Sequence, residues 1–129
     1  MPNTSMSFSQ LYFSTEGRIP RSTYWLKYYL PLLGISMLGW LLDYAMGTYD
    51  AEYGIGLVSG TISFLIIWPS IAIYVKRIHD RDRSGLFLLL LFVPLLNIWP
   101  TIEILFLKGT EGPNQFGEDP LGDVVEVFE

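Results

Sequence analysis

The chain has no cysteine and a single histidine, His79. The first absence excludes disulfides, thiolate metal sites and cysteine nucleophiles, and it leaves the redox compartment open. With one histidine as well, no zinc site is expected, and no other metal or cofactor is implied. Basic residues are scarce: eight Lys and Arg stand against thirteen Asp and Glu, a net charge of -5. That balance argues against a nucleic-acid partner, because phosphate binding needs surplus Lys and Arg. A cleavable signal peptide is not expected either. The first apolar run begins near Tyr24, exceeds a signal h-region in length, and is followed by no small-residue cleavage site.

What is present is long apolar runs. The 129 residues suffice for one domain. Charges gather in four short patches, separated by stretches of about twenty nearly charge-free residues, the length that crosses a hydrocarbon slab of about 30 Å. The expected fold is therefore all-α, an integral membrane protein with about three membrane-embedded helices. Residues 1–23 read as a polar N-terminal segment, a mobile tail on the simplest reading, although Phe8, Leu11 and Tyr12 could share a helical face. Pro20 predicts a helix start just after it, with Ser22 a candidate cap. Span one covers 24–42, with Tyr24, Trp25, Tyr28 and Tyr29 at one end and Trp40 and Tyr44 at the other, an interfacial aromatic belt. Pro31 falls in its first two turns, where a kink is tolerable.

Residues 43–53 form a connection with acidic residues only, and span two covers 54–75. Gly56 and Gly60 have the spacing that lets helices approach closely, either within the chain or between two copies. Residues 76–85, KRIHDRDRSG, read as a polar loop. The third apolar stretch, 86–107, is interrupted by Pro94, Asn97, Pro100 and Glu103. It reads first as a single kinked crossing, with a re-entrant hairpin turning near Asn97 as the alternative. The acidic tail, 108–129, reads as ordered turns to Pro120 and a frayed end over the last nine residues. Basic residues flank the start of span one and fill the 76–85 loop, so the N-terminus and that loop are expected in the cytoplasm and 43–53 outside.

Three polar segments remain: GRIPRSTYW at 17–25, RIHDRDRSG at 77–85 and GTEGPNQFGEDP at 109–120. In this order and separation they resemble the family of small bacterial inner-membrane proteins without assigned function typified by YhaH and YhaI. The resemblance covers nearly the whole chain. The matching positions are Gly17, Arg18, Arg21, Tyr24 and Trp25; Arg77, His79, Asp80, Arg83, Ser84 and Gly85; and Gly109, Gly112, Asn114, Phe116, Gly117, Asp119 and Pro120. Thr15-Glu16 and Glu103 depart from the family pattern. The resemblance implies a bacterial inner-membrane location and no reaction.

The residues themselves offer little catalysis. Asp80 and Ser84 lie near His79 in sequence, but such neighbours rarely adopt triad geometry. Asp80 is expected to pair with Arg77 or Arg83 at a helix end, and Arg18 or Arg21 to lie near Asp80 or Asp82. The arginines either set topology by snorkelling or recognise an anionic headgroup or phosphate. Gly109, Gly112 and Gly117 are expected at positive-φ turns, with Asn114 and Asp119 closing side-chain turns. Glu103 either snorkels at the interface or faces a polar interior with Asn97. The leading expectation is a non-enzymatic membrane scaffold or regulatory protein whose cytoplasmic motifs contact membrane lipid or a partner protein. The alternative is an oligomeric channel or transporter-like assembly using Glu103 and Asn97.

Overall fold

The computed structural model describes residues 6–121, and these are helical, with two isolated bridges and no strand among them. Helix α1 spans Phe8–Phe13. Ser7 starts it with a reciprocal cap: its hydroxyl accepts from the Gln10 N–H, and the Gln10 side chain accepts from the Ser7 N–H. Of the suggested face, Leu11 is buried and Tyr12 half-buried but Phe8 is 72% exposed; Leu11 and Ile19 in the core build residues 6–23 into the fold instead of leaving a mobile tail.

Helix α2 runs unbroken over Arg21–Met46. Pro20 is its cap residue, so Ser22 lies inside the helix and not at its start. Pro31 has no N–H to offer the Lys27 carbonyl, and the helix absorbs the mismatch as one π turn over Trp25–Tyr29. The Lys27 carbonyl instead accepts the Tyr12 hydroxyl at 2.7 Å, which ties α1 to α2. At 26 residues α2 is long enough to cross a bilayer, roughly 39 Å against about 30 Å of hydrocarbon. Leu33, Ile35, Leu38 and Leu41 along it are exposed, a face that suits lipid and would be anomalous in water.

Helices α3 (Leu57–Leu65) and α4 (Ile67–Asp80) form a second apolar rod bent by 42°. The break at Ile66 precedes Pro69, which cannot donate to the Leu65 carbonyl. Residues 76–80, read from sequence as loop, are the last turns of α4. The α2–α3 contact does not use Gly56 and Gly60 as a pair. Gly39 of α2 lies against Ser59 and Ile62, where an added Cβ would meet the Ile62 methyl at 2.8 Å. Gly60 instead faces the Ile55 side chain.

Asp43, near the end of α2, is fully buried and caps α3 from outside. Its carboxylate accepts from the Val58 N–H at 2.8 Å, the Ser59 N–H at 2.9 Å and the Thr48 hydroxyl at 2.6 Å. A carboxylate is favoured there because the first N–H groups of a helix have no internal acceptor and carry partial positive charge. Gly56 makes the approach possible, since a Cβ on it would stand 2.3 Å from the Asp43 carboxyl carbon.

The third apolar stretch is not a single kinked helix. A 3₁₀ helix over Gly85–Phe92 and helix α5 over Ile98–Phe106 fold into a hairpin. Their lengths are roughly 16 Å and 13 Å, each about half of the hydrocarbon thickness. The turn lies at Pro94-Leu95, where Leu95 takes a φ of 69°, a conformation unusual for a branched side chain. Phe87 and Trp99 pack edge-on across the hairpin at 5.3 Å, and both of its ends return to the 76–85 segment. The frayed end expected over the last nine residues lies outside the described residues, apart from Leu121.

Two substitutions at the α2–α3 junction test this fold. Asp43→Ala and Gly56→Ala should each lower unfolding free energy in detergent by about 1–2 kcal/mol, the worth of a helix cap. Because both remove the same cap, the double variant should fall well short of the sum. Additive losses in thermal or denaturant unfolding would show that the two residues act separately.

Candidate functional site

The three polar motifs meet at one end of the helices, around Asp80. Arg18 reaches it at 3.0 Å and Arg77 at 3.0 Å, so the expected pairings of Asp80 with Arg77 and with the first motif are both present. Arg83 goes elsewhere. All three partners are inside the protein: Arg18 and Asp80 are 3% exposed and Arg77 is 0%.

Buried charges of this kind are costly unless every donor is used. Here the donors are used on backbone carbonyls. Arg18 donates to the carbonyls of Thr110 at 2.6 Å, Gly112 at 2.7 Å and Gly117 at 3.3 Å, all in the tail motif. Arg77 donates to the carbonyls of Ile104 at 2.8 Å, Glu103 at 3.4 Å and Leu107. Arg21 takes the Phe106 carbonyl and the Trp25 indole N–H takes that of Leu105, both at 2.7 Å. The C-terminal carbonyls of α5, which have no acceptor role left inside the helix, are thus collected by the first and second motifs. The positive side chains also oppose the negative end of the helix dipole.

Lys76 does the same for α1. It is 0% exposed and donates to the carbonyls of Gln10 at 2.8 Å, Ser14 at 2.5 Å and Leu11. The Trp68 indole closes the set by donating to the Phe13 carbonyl at 2.8 Å. Tyr24 of the first motif is buried and shares a hydroxyl contact of 3.2 Å with Tyr74.

The tail motif is held by several further bonds. The Thr110 N–H donates to the Asp80 carbonyl at 2.7 Å, and the Asn114 side-chain amide donates to the His79 carbonyl at 3.0 Å. Phe116 lies flat on the His79 ring at 3.9 Å, and His79 Nδ1 lies 3.1 Å from the Gly17 carbonyl. Asn114 and Asp119 close side-chain turns as expected, accepting from the N–H groups of Phe116 and Leu121. Gly112 and Gly117 take φ values of 75° and 139°, as expected for turn glycines. Gly109 does not. Its requirement is space, because a Cβ there would stand 1.9 Å from an Asp80 carboxylate oxygen. Pro120 follows Asp119 at the end of this wrap.

Glu103 is 3% exposed and neither snorkels nor faces Asn97. Its carboxylate accepts from Arg81 at 3.2 Å and from Arg83 at 3.0 Å. The Arg83 guanidinium also stacks over Phe87 and Trp99, so the loop after α4 is clamped onto the hairpin. Asn97 begins α5 and is not among the partners of Glu103. Ser84 is an exposed cap residue for the 3₁₀ helix, and Gly85 packs beside Val75. Among the described residues no group of three or more His, Asp or Glu side chains has the arrangement to hold a metal ion.

Sequence reasoning missed Lys76, Trp68 and Asp43 as organising residues. Asp43 had a usable signal, an acidic residue closing an apolar run. Lys76 and Trp68 had none, because their acceptors are ordinary backbone carbonyls of a distant helix.

Removing Arg18 tests the assembly. Arg18→Ala should free the tail, so that amide exchange at Gly112 and Gly117 rises at least tenfold while the apolar helices stay protected. Arg18→Lys should resemble it, because a single ammonium cannot meet Asp80 and three carbonyls in the same plane. Unchanged tail protection in both variants would refute this role.

A model of a family described as "Protein of unknown function (DUF805)" matches residues 12–118. Inner membrane protein YhaH of Escherichia coli K12 is 33% identical over 109 residues, covering 84% of this chain and 88% of that protein. Inner membrane protein YhaI of the same strain is 28% identical over 118 residues, covering 89% and 92%. YiiR of that strain, described as uncharacterized, is 28% identical over 142 residues, covering 88% and 90%. No solved structure matches. The match spans the first polar motif from its first arginine through the tail glycines that bind it, and on this ground the chain belongs to the DUF805 family of inner-membrane proteins.

Proposed function

We propose that this protein is a non-enzymatic inner-membrane scaffold or regulatory protein, whose cytoplasmic face offers a rigid surface to lipid headgroups or a partner protein. The observation that carries this reading is how the motif chemistry is spent. Arg18, Arg77 and Asp80 are buried, and their donors and acceptors bind one another and backbone carbonyls. Residues with this commitment shape a surface more readily than they turn over a substrate. The surface they support carries Asp82, Arg83, Glu111, Gln115 and Glu118, which are exposed or half-exposed.

In this reading α2 and the bent α3–α4 rod cross the membrane, and the hairpin enters and leaves the cytoplasmic leaflet. The N-terminal segment, the 81–84 loop and the tail then share the cytoplasmic side, as their mutual bonds favour. The competing channel reading needs Glu103 released from Arg81 and Arg83, and nothing favours that release.

The absence of native cysteine makes the topology directly testable. Ser84→Cys and Gln115→Cys should react with impermeant reagents only from the cytoplasmic side, and Glu52→Cys only from outside. Labelling of Gln115→Cys from outside would break the two-crossing arrangement. The scaffold role is tested by purification in mild detergent with mass spectrometry of retained proteins and lipids. A partner retained by the wild type should be lost with Arg18→Ala although insertion is normal. Identical retention, together with proton flux in liposomes that Glu103→Gln abolishes, would favour the channel instead.

A further inference from the structure

One cation is left out of the network. Among the described residues, Lys27 is the only Lys or Arg whose side chain has no hydrogen bond or ion pair. It stands on the π turn of α2, at the level of the α1 helix and of the aromatic residues Tyr12 and Trp25. Aromatic and basic residues grouped at the end of a crossing helix mark the headgroup level of a membrane.

Two hollows share Lys27. One, of about 50 Å³, is mainly polar and is lined also by Arg18, Pro20 and Thr23. The other, of about 250 Å³, is apolar and runs between α1 and the helices, past Phe8, Tyr28, Pro31, Leu32 and Ile35. The apolar hollow opens onto the exposed face of α2, and Ile35 belongs to both. Its volume is roughly eight times the share of one water, about 30 Å³. That admits part of one acyl chain.

The sequence builds this shape by one local event. Pro31 forces the π turn, and the freed Lys27 carbonyl accepts the Tyr12 hydroxyl, tying α1 to α2 beside the groove. We propose that this cleft is a binding site for an anionic phospholipid of the surrounding membrane, with its phosphate on Lys27 beside Thr23 and one acyl chain in the groove beneath α1. The site adjoins the Asp80 cluster through Arg18, whose guanidinium is already bonded there, and it deepens the lipid-contact part of the proposed function, on which it rests. Selectivity comes from the headgroup, because the acyl chain leaves one apolar environment for another. Phosphatidylcholine carries the same phosphate with a choline cation beside it, so the preference rests on the net negative charge of the anionic headgroup, worth about 1 kcal/mol to one ammonium, or about fivefold.

The test uses the full chain reconstituted in lipid nanodiscs, with spin-labelled phosphatidylglycerol or phosphatidylcholine of the same acyl chains as probes. The immobilised fraction should favour phosphatidylglycerol by about fivefold. Lys27→Gln should bring the two lipids level, Lys27→Arg should keep the preference, and Ile35→Trp should lower immobilisation of both by filling the groove. Lys27→Gln should unfold at the wild-type temperature, since the side chain it alters makes no bond. Equal immobilisation of the two lipids by the wild type would overturn the proposal, as would a preference that survives Lys27→Gln. A photo-crosslinker at Ile35 that captures a second copy of the chain in place of lipid would overturn it too.

Discussion

The shared carboxylate of Asp80 is the point on which the rest of the molecule depends. Two buried guanidiniums meet on it, one from the segment before α2 and one from α4. Burying an ion typically costs several kcal/mol, and mutual attraction alone seldom offsets that. Here the remaining N–H groups bind backbone carbonyls that would otherwise be orphaned, at the end of α5 and in the tail. The charge cluster and the helix-end problem thus solve each other.

The same device recurs around it. Lys76 and Trp68 gather the carbonyls at the end of α1, while Arg21 and Trp25 complete α5. At the opposite end of the helix pair Asp43 serves the N–H groups of α3. Cations sit at C-terminal ends and the carboxylate at an N-terminal end, the polarity that helix dipoles favour. Between the two polar ends the helices meet at Gly39 on Ser59 and Ile62 and at Tyr28 on Ser70 and Tyr74, and many of their apolar side chains face outward.

Proline shapes each apolar element differently. Pro31 yields a π turn because the freed carbonyl finds Tyr12, whereas Pro69 yields a 42° bend. Pro94 marks a full reversal, with Leu95 at positive φ, and Glu103 fastens the returning helix to Arg81 and Arg83. The outcome at each site follows from which partner stands ready for the released backbone group.

Much was legible in the sequence because it depends on local pattern. Apolar runs and aromatic belts identify α2 and the α3–α4 rod, and the order of the three motifs identifies the family. The turn chemistry of Gly112, Gly117, Asn114 and Asp119 is likewise local, since each needs only its own φ or a neighbour two residues on. Other features needed the tertiary structure. That residues 86–107 fold back as a hairpin is fixed by Glu103 meeting two arginines twenty or more residues away. The buried state of Lys76 is decided by carbonyls more than sixty residues distant. The need for glycine at 109 and 56 is decided by carboxylates from other helices. Backbone carbonyls are identical at every position, so no residue type announces which of them a distant cation will take.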